Sequence, residues 1–252
     1  MSTAAKKAPA KRASKDKTAP QAAPATSLVL RVCRPDMTAY GGFVWPSDVG
    51  ATVEAPDWRN DNDCGYGLHG WLYGQGAHGC VGHWAEEGAK WLVLEVETDS
   101  IVMLDGKCKF PRATVRFVGE KHDAAAYLIA HEPRAVGVAV IGVRIDVGDG
   151  GTATAGALSK LTGGDCATLT GGNDATLTGG DYATLTGGDY ATLTGGDCAT
   201  LTGGDCAELR IRYWDAKADR WRTAIAYVGE NSIKAGVAYR LNETHEFVEA
   251  DQ

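Results

Sequence analysis

An α+β domain leading into a short all-β solenoid, closed by a β-hairpin cap, is the architecture this sequence predicts. Three observations predict it. An octapeptide, Ala-Thr-Leu-Thr-Gly-Gly-Asp-X, recurs between Gly151 and Cys206, and seven leucines stand eight residues apart from Leu161 to Leu209. A fixed short period decides architecture before local propensity does. Ahead of the array lie several apolar strand-like runs and one helical run, and behind it comes an alternating aromatic and charged stretch that turns back on itself. The chain therefore divides into a basic tail (1–27), an α+β domain (28–134), the repeat array (135–207) and a β-rich cap (208–252).

Residues 1–27 hold Lys6, Lys7, Lys11, Arg12, Lys15 and Lys17 among Ala and Pro, with almost no large apolar side chain. Such a composition buries too little to fold and predicts disorder. Its charge makes nucleic acid a conceivable partner of the tail, beside the plainer role of a solubilising leader. The net charge of −7 leaves the rest of the chain near −12, which argues against groove binding by the folded part. The tail lacks the apolar core of a secretory signal and no run is long enough to span a bilayer. An odd count of seven cysteines suits a reducing compartment, so a cytoplasmic location and no membrane partner are expected.

Within the domain, strands are expected over 28–33, 42–45 (stopped by Pro46), 91–97 as the central strand, 101–104 and 114–118. A helix is expected over 122–130, burying Tyr127, Leu128 and Ile129 and ended by Pro133. Mixed strands with one late helix read as α+β. The densest chemistry is a Gly-rich stretch carrying Cys64, His69, Cys80 and His83. Four soft or borderline donors within twenty residues satisfy the ligand count of tetrahedral zinc, although the spacing matches no common finger. The alternative is a loop whose Cys and His side chains pack against strands. No other cofactor is implied, since Ser/His/Asp and phosphate-loop signatures are absent.

The apolar segment 136–147 is in phase with the repeats and is expected to form a first coil that shields one end of the array. In each unit the alternation of Ala-Thr-Leu-Thr puts Ala and Leu on one face and both Thr on the other. The Gly-Gly pair is expected to supply left-handed turn residues, and the Asp or Asn to bond nearby backbone N–H groups. Eight residues cannot enclose a core, so two units make one sixteen-residue coil with Leu inside. The opposite phase would bury hydroxyls at about 1–3 kcal/mol each. Odd and even units then fall on opposite faces. One face stacks Thr152, Thr154, Thr168, Thr170, Thr184, Thr186, Thr200 and Thr202 without a break. The other is interrupted by Arg144, Asp146, Lys160, Glu208 and Arg210.

The variable eighth position places Cys166, Tyr182 and Cys198 along one edge, with Cys166 and Cys198 about 9.5 Å apart, beyond disulfide reach. In the cap, Leu209, Ile211 and Tyr213 continue the inward face and a hairpin turns over 216–219, while Arg210, Arg212, Arg220 and Arg222 are expected to protect its edge, the alternative being a patch for an anionic ligand. A last strand is expected over 237–241, with loose residues after it.

The Thr-Leu-Thr-Gly-Gly units, together with Gly151-Thr152-Ala153-Thr154-Ala155-Gly156, resemble the octapeptide repeats of bacterial ice-nucleation proteins over about 60 residues. That resemblance implies outward Thr-x-Thr motifs on a sixteen-residue β-solenoid coil. The domain around residues 64–118, with its Gly67-Leu68-His69 segment and Lys109-Phe110-Pro111-Arg112 run, is similar to an uncharacterised domain of bacterial and phage proteins. It also resembles the small ADP-ribosyltransferase-like fold, which would give His69 a ribose hydroxyl and let Tyr66 or Tyr73 stack on nicotinamide, although no catalytic Glu can be placed. The calcium-binding nonapeptide of repeat toxins is similar in look, but its nine-residue spacing differs from the eight seen here, leaving an Asp ladder (Asp165, Asp181, Asp197) as the testable remnant. The expected function is therefore non-enzymatic: a flat Thr-x-Thr surface for binding, ice or ordered water above all, or for self-association. The alternative is an enzymatic or zinc-binding amino-terminal domain with the solenoid as a spacer.

Overall fold

The structure, a computed structural model, describes residues 25–250; the expected disordered tail lies outside them except for its last three residues. Seven strands make one antiparallel sheet: β1 (Thr26–Cys33), β2 (Thr52–Glu54), β3 (Leu68–Leu72), β4 (Lys90–Glu97), β5 (Val102–Leu104), β6 (Lys107–Phe110) and β7 (Arg112–Gly119). Their order across the sheet is β2-β7-β4-β1-β3-β6-β5. Strand β1 is buried along seven of its eight residues because both faces of the sheet are covered. Period-2 alternation sends Leu28, Leu30 and Val32 to one core and Val29 and Cys33 to the other.

Helix α1 (Lys121–His131) covers the first face through Ala124, Ala125 and Leu128, while Tyr127 and Ile129 stay half-buried. The chain leaves it at Glu132-Pro133. Glu132 is 2% exposed, and its carboxylate accepts the Leu28 N–H at 3.0 Å and the Arg134 backbone and guanidinium N–H groups. The strand expected over 42–45 does not form. A 3-10 turn at Tyr40–Gly42 occupies its start, with Gly41 and Gly42 at φ 69° and 77°, and one isolated bridge joins Thr38 to Val44.

The segment 136–143 is likewise not strand. It carries buried Val140, Ile141 and Val143, and it docks the two parts of the chain: Ile141 N–H donates to Gly74 O at 2.9 Å and Gly156 N–H to Val140 O at 3.0 Å. The expected first coil is therefore reduced to its last strand, β8 (Arg144–Asp146). One continuous apolar core runs from Leu30 under α1, through Val140, to Leu209.

The array then alternates between two parallel sheets. Strands β9 (Thr152–Thr154), β11 (Thr168–Thr170), β13 (Thr184–Thr186) and β15 (Thr200–Thr202) build one, and β10 (Lys160–Thr162), β12 (Thr176–Thr178), β14 (Thr192–Gly195) and β16 (Glu208–Asp215) join β8 in the other. Registers step by sixteen, as in Thr168↔Thr184 and Leu161↔Leu177. Leu161, Leu169, Leu177, Leu185, Leu193, Leu201 and Leu209 are all fully buried.

The turns contain one correction. The repeat glycines are not left-handed; the variable position is, with φ between 56° and 60° at Leu158, Cys166, Asp174, Tyr182, Tyr190, Cys198 and Cys206. Glycine is needed instead for space. A Cβ on Gly179 would stand 2.5 Å from Ala183 Cβ, inside the coil, and one on Gly180 would stand 2.7 Å from Asp165 N, in the coil below. The Asp side chain bonds backbone as expected, but across coils: Oδ1 of Asp165 accepts the Asp181 N–H at 2.9 Å, and Oδ1 of Asp181 accepts the Asp197 N–H at 2.8 Å.

Strand β17 (Arg220–Tyr227) pairs antiparallel with β16 and closes one sheet. The other is closed by β18 (Ala238–Leu241), antiparallel on β15, and then by β19 (Phe247–Glu249), where the sequence suggested loose residues.

Candidate functional site

The flat outer surface of the β9-β11-β13-β15 sheet is the most regular chemical feature of the molecule. Each strand buries its middle residue (Ala153, Leu169, Leu185 or Leu201) and turns the Thr on either side outward. Thr152, Thr168, Thr184 and Thr200 stand in one register column, and Thr154, Thr170, Thr186 and Thr202 in a second. Side chains two residues apart on a strand lie roughly 6.6–6.8 Å apart, and neighbouring strands about 4.7–4.9 Å apart. Four strands thus make an uncharged two-column hydroxyl lattice about 15 Å tall. Thr200 and Thr202 are half-buried and the other six exposed. The opposite sheet has Thr176, Thr178, Thr192 and Thr194 at its centre, with the Arg144–Asp146 and Arg210–Glu208 ion pairs at its ends.

The four sequence-nominated zinc ligands do not converge. Cys64 is exposed, and Cys80 Sγ faces Asp105 O at 3.8 Å. His83 Nδ1 pairs with Glu86 Oε1 at 2.9 Å, while His69 sits in β3 opposite Lys109. Among the described residues no three His, Cys, Asp or Glu side chains are grouped to hold a metal ion, the Asp165, Asp181 and Asp197 ladder included. Within that ladder Asp165 and Asp181 are already engaged by backbone N–H groups. All seven cysteines are free thiols.

Tyr66 and His69 line one cleft, but Tyr73 is elsewhere, its ring 4.6 Å from the Arg134 guanidinium. Burial is the main cause of a His69 pKa lowered to about 4, with the charges of Lys107, Arg31 and Lys109 acting in the same direction. Three of the four hairpin arginines are committed locally: Arg210 to Glu208, Arg222 to Asp215 at 2.6 Å, and Arg212 over the Trp221 ring.

Two features escaped the sequence reading. His78 Nε2 contacts Asp174 Oδ2 at 2.9 Å, tying the domain to the one repeat turn written Asn173-Asp174. Arg31 is buried in β1; the visible signal was an arginine inside an otherwise apolar strand.

Residues 27–130 match the family described as Domain of unknown function (DUF7666). The chain is 37% identical over 108 residues to an ice nucleation protein of Xanthomonas campestris pv. translucens, covering 42% of this chain and 7% of the relative. It is 34% identical over 106 residues to ice nucleation protein InaU of Pantoea ananas (41% and 10%), and 39% identical over 108 residues to an ice nucleation protein of Pseudomonas syringae (42% and 9%). The chain thus spans a tenth or less of the length of these relatives. No solved structure matches it. No helix among the described residues is long and apolar enough to cross a membrane.

Proposed function

We propose that this ice-nucleation-like repeat chain uses the β9-β11-β13-β15 surface to bind ordered water at an ice face. The observation that carries the reading is the unbroken pair of Thr columns, in register over four strands and free of charged side chains. Each Thr offers a methyl and a hydroxyl, and the parallel ladder holds neighbouring copies at fixed spacing, so water organised over one rung is continued by the next. A patch about 15 Å tall is too small to template a critical ice nucleus alone. It suits weak adsorption to existing ice, or a share in a larger surface if chains associate side by side. The reading requires no cofactor and no membrane.

The test is thermal hysteresis and droplet freezing, measured on the wild type and on the Thr168→Lys, Thr184→Lys double variant. Both positions are exposed, so circular dichroism and the melting midpoint should stay close to wild type. Hysteresis at buffer level in the variant, against a measurable gap in the wild type, is the expected result. Superimposable curves for the two proteins reject the proposal.

A further inference from the structure

Arg31 lies in the middle of β1 and is 7% exposed, and among the described residues its partners are not carboxylates. One terminal nitrogen donates to His69 O at 2.7 Å, the Cys33 thiol stands beside it, and the guanidinium lies 4.7 Å from the centre of the Trp45 ring. Its Nε–H has no acceptor among the described residues. Among the described residues four buried side-chain polar atoms lack a partner, and three of them, Arg31 Nε, Trp45 Nε1 and His69 Nε2, belong to residues that line a single cleft. Unpaired buried donors are costly, and so is a buried cation without a counter-ion. Their concentration in one place calls for an absent partner that supplies negative charge and acceptor oxygens.

The cleft has a volume of about 590 Å³, within the range of small-molecule sites. Its mouth carries aromatic side chains: Tyr40 at 95% exposure, Phe43, and Tyr66 with the Arg59 guanidinium 3.8 Å from its ring centre. The turns at Gly41, Gly42 and Gly65 leave open space around it. Asp57 stands exposed on the rim and is the acid acting on His69, outweighed there by burial first and then by the charges of Lys107, Arg31 and Lys109. The imidazole is therefore neutral near pH 7 and able to donate or accept at Nε2.

We propose that this cleft binds a small anion carrying a planar ring, an aryl or heteroaryl carboxylate or phosphate, with its acidic oxygens on the N–H groups of Arg31 and Trp45 and its ring against Tyr40 and Tyr66. Arg31 provides the charge and Trp45 the direction of approach, and the exposed tyrosines select for a flat ring.

The test follows the Trp45 indole N–H cross-peak of the full chain in a ¹H–¹⁵N spectrum, assigned with Trp45→Phe. The probes are benzoate, AMP, inorganic phosphate and benzamide. Benzoate or AMP should move the peak in a saturable way, whereas phosphate (charge without ring) and benzamide (ring without charge) should bind at least several-fold more weakly. Arg31→Met should abolish the shift. Because removal of a buried cation from β1 could unfold the domain, Tyr40→Ala, at an exposed position, serves as the second variant and should weaken binding several-fold. Failure of both benzoate and AMP to move the peak at about 10 mM, beyond the weakest affinity of interest, overturns the proposal. So does equal binding of phosphate or benzamide, or a Tyr40→Ala variant that binds as tightly as the wild type.

Discussion

Gly180→Ala separates two explanations of the repeat glycines. If they serve backbone freedom alone, alanine at a residue without left-handed φ should be neutral or stabilise by about 0.4–1 kcal/mol through the unfolded chain. The packing argues the reverse. The added Cβ would stand 2.7 Å from Asp165 N and 2.8 Å from Gly164 C, both backbone atoms of the coil below. Two coils must therefore move apart locally. Two bonds cross that junction: Gly180 N–H to Gly164 O (3.0 Å) and Asp181 N–H to Asp165 Oδ1 (2.9 Å). At about 0.5–1.5 kcal/mol net each, their loss less the entropic gain leaves up to about 2.6 kcal/mol of destabilisation, with a middle near about 1.3 kcal/mol. For a chain of this size that is a melting midpoint lowered by about 3–5 °C at the middle of the range. Calorimetry, or circular dichroism on heating, reads it. A midpoint at or above the wild-type value refutes the close-approach argument. Tyr182→Gly, placed at a position with φ 58°, is the control and should change stability by less than about 1 kcal/mol.

Leu177→Ala removes a fully buried side chain from the column between Leu161 and Leu193, and should cost about 2–5 kcal/mol in urea denaturation. Asp181→Asn should be nearly silent, because Asn173 already fills the equivalent role by accepting the Asp189 N–H, whereas Asp181→Ala should cost about 0.5–1.5 kcal/mol. For His69 the folded pKa of about 4 lies below the ordinary 6.5, so the unfolded chain takes up the proton first. Stability from this group is complete above pH 6.5, falls as the pH drops towards 4, and changes no further below that. The depression corresponds to at most about 3 kcal/mol, and partial exposure brings the expectation to about 1–2 kcal/mol. Comparing His69→Gln with the wild type at pH 7 and pH 5 measures it, since the wild type alone should lose this increment.

The array was legible because one chemical choice repeats. With Leu every eight residues, the phase that buries leucine and exposes threonine is the only economical one, and it determines which Thr stand above one another. Turn geometry was less legible. A Gly-Gly pair is compatible both with left-handed turns and with backbone close to backbone, and the neighbouring coil that decides between them is sixteen residues away in sequence. In the domain, the long apolar strands β1, β4 and β7 and helix α1 announce themselves, while β2, β3 and β6 are short and polar or glycine-bearing, and pair only because their neighbours offer edges. The stretch 42–45 looked like strand from Phe43, Val44 and Trp45, but the left-handed Gly41 and Gly42 fold it back on Thr38, and it makes one isolated bridge instead of joining the sheet. The proposed zinc quartet failed for a related reason. Cys80 and His83 sit in turns with partners of their own, and linear spacing does not report where a long Gly-rich loop sends its side chains.

Because each full turn contains two octets, the array has a parity. Insertion or loss of a single octet would hand everything downstream to the opposite wall: the β16–β17 hairpin, which now completes the wall begun by β8, would be presented to the wall begun by β9. A pair of octets lengthens the molecule without disturbing either terminus, since Leu193 under Leu209 and Leu201 beside Tyr239 would simply be re-created one turn further along. Growth in whole turns is thus the route by which the hydroxyl surface can be enlarged while the fittings at both ends keep their places.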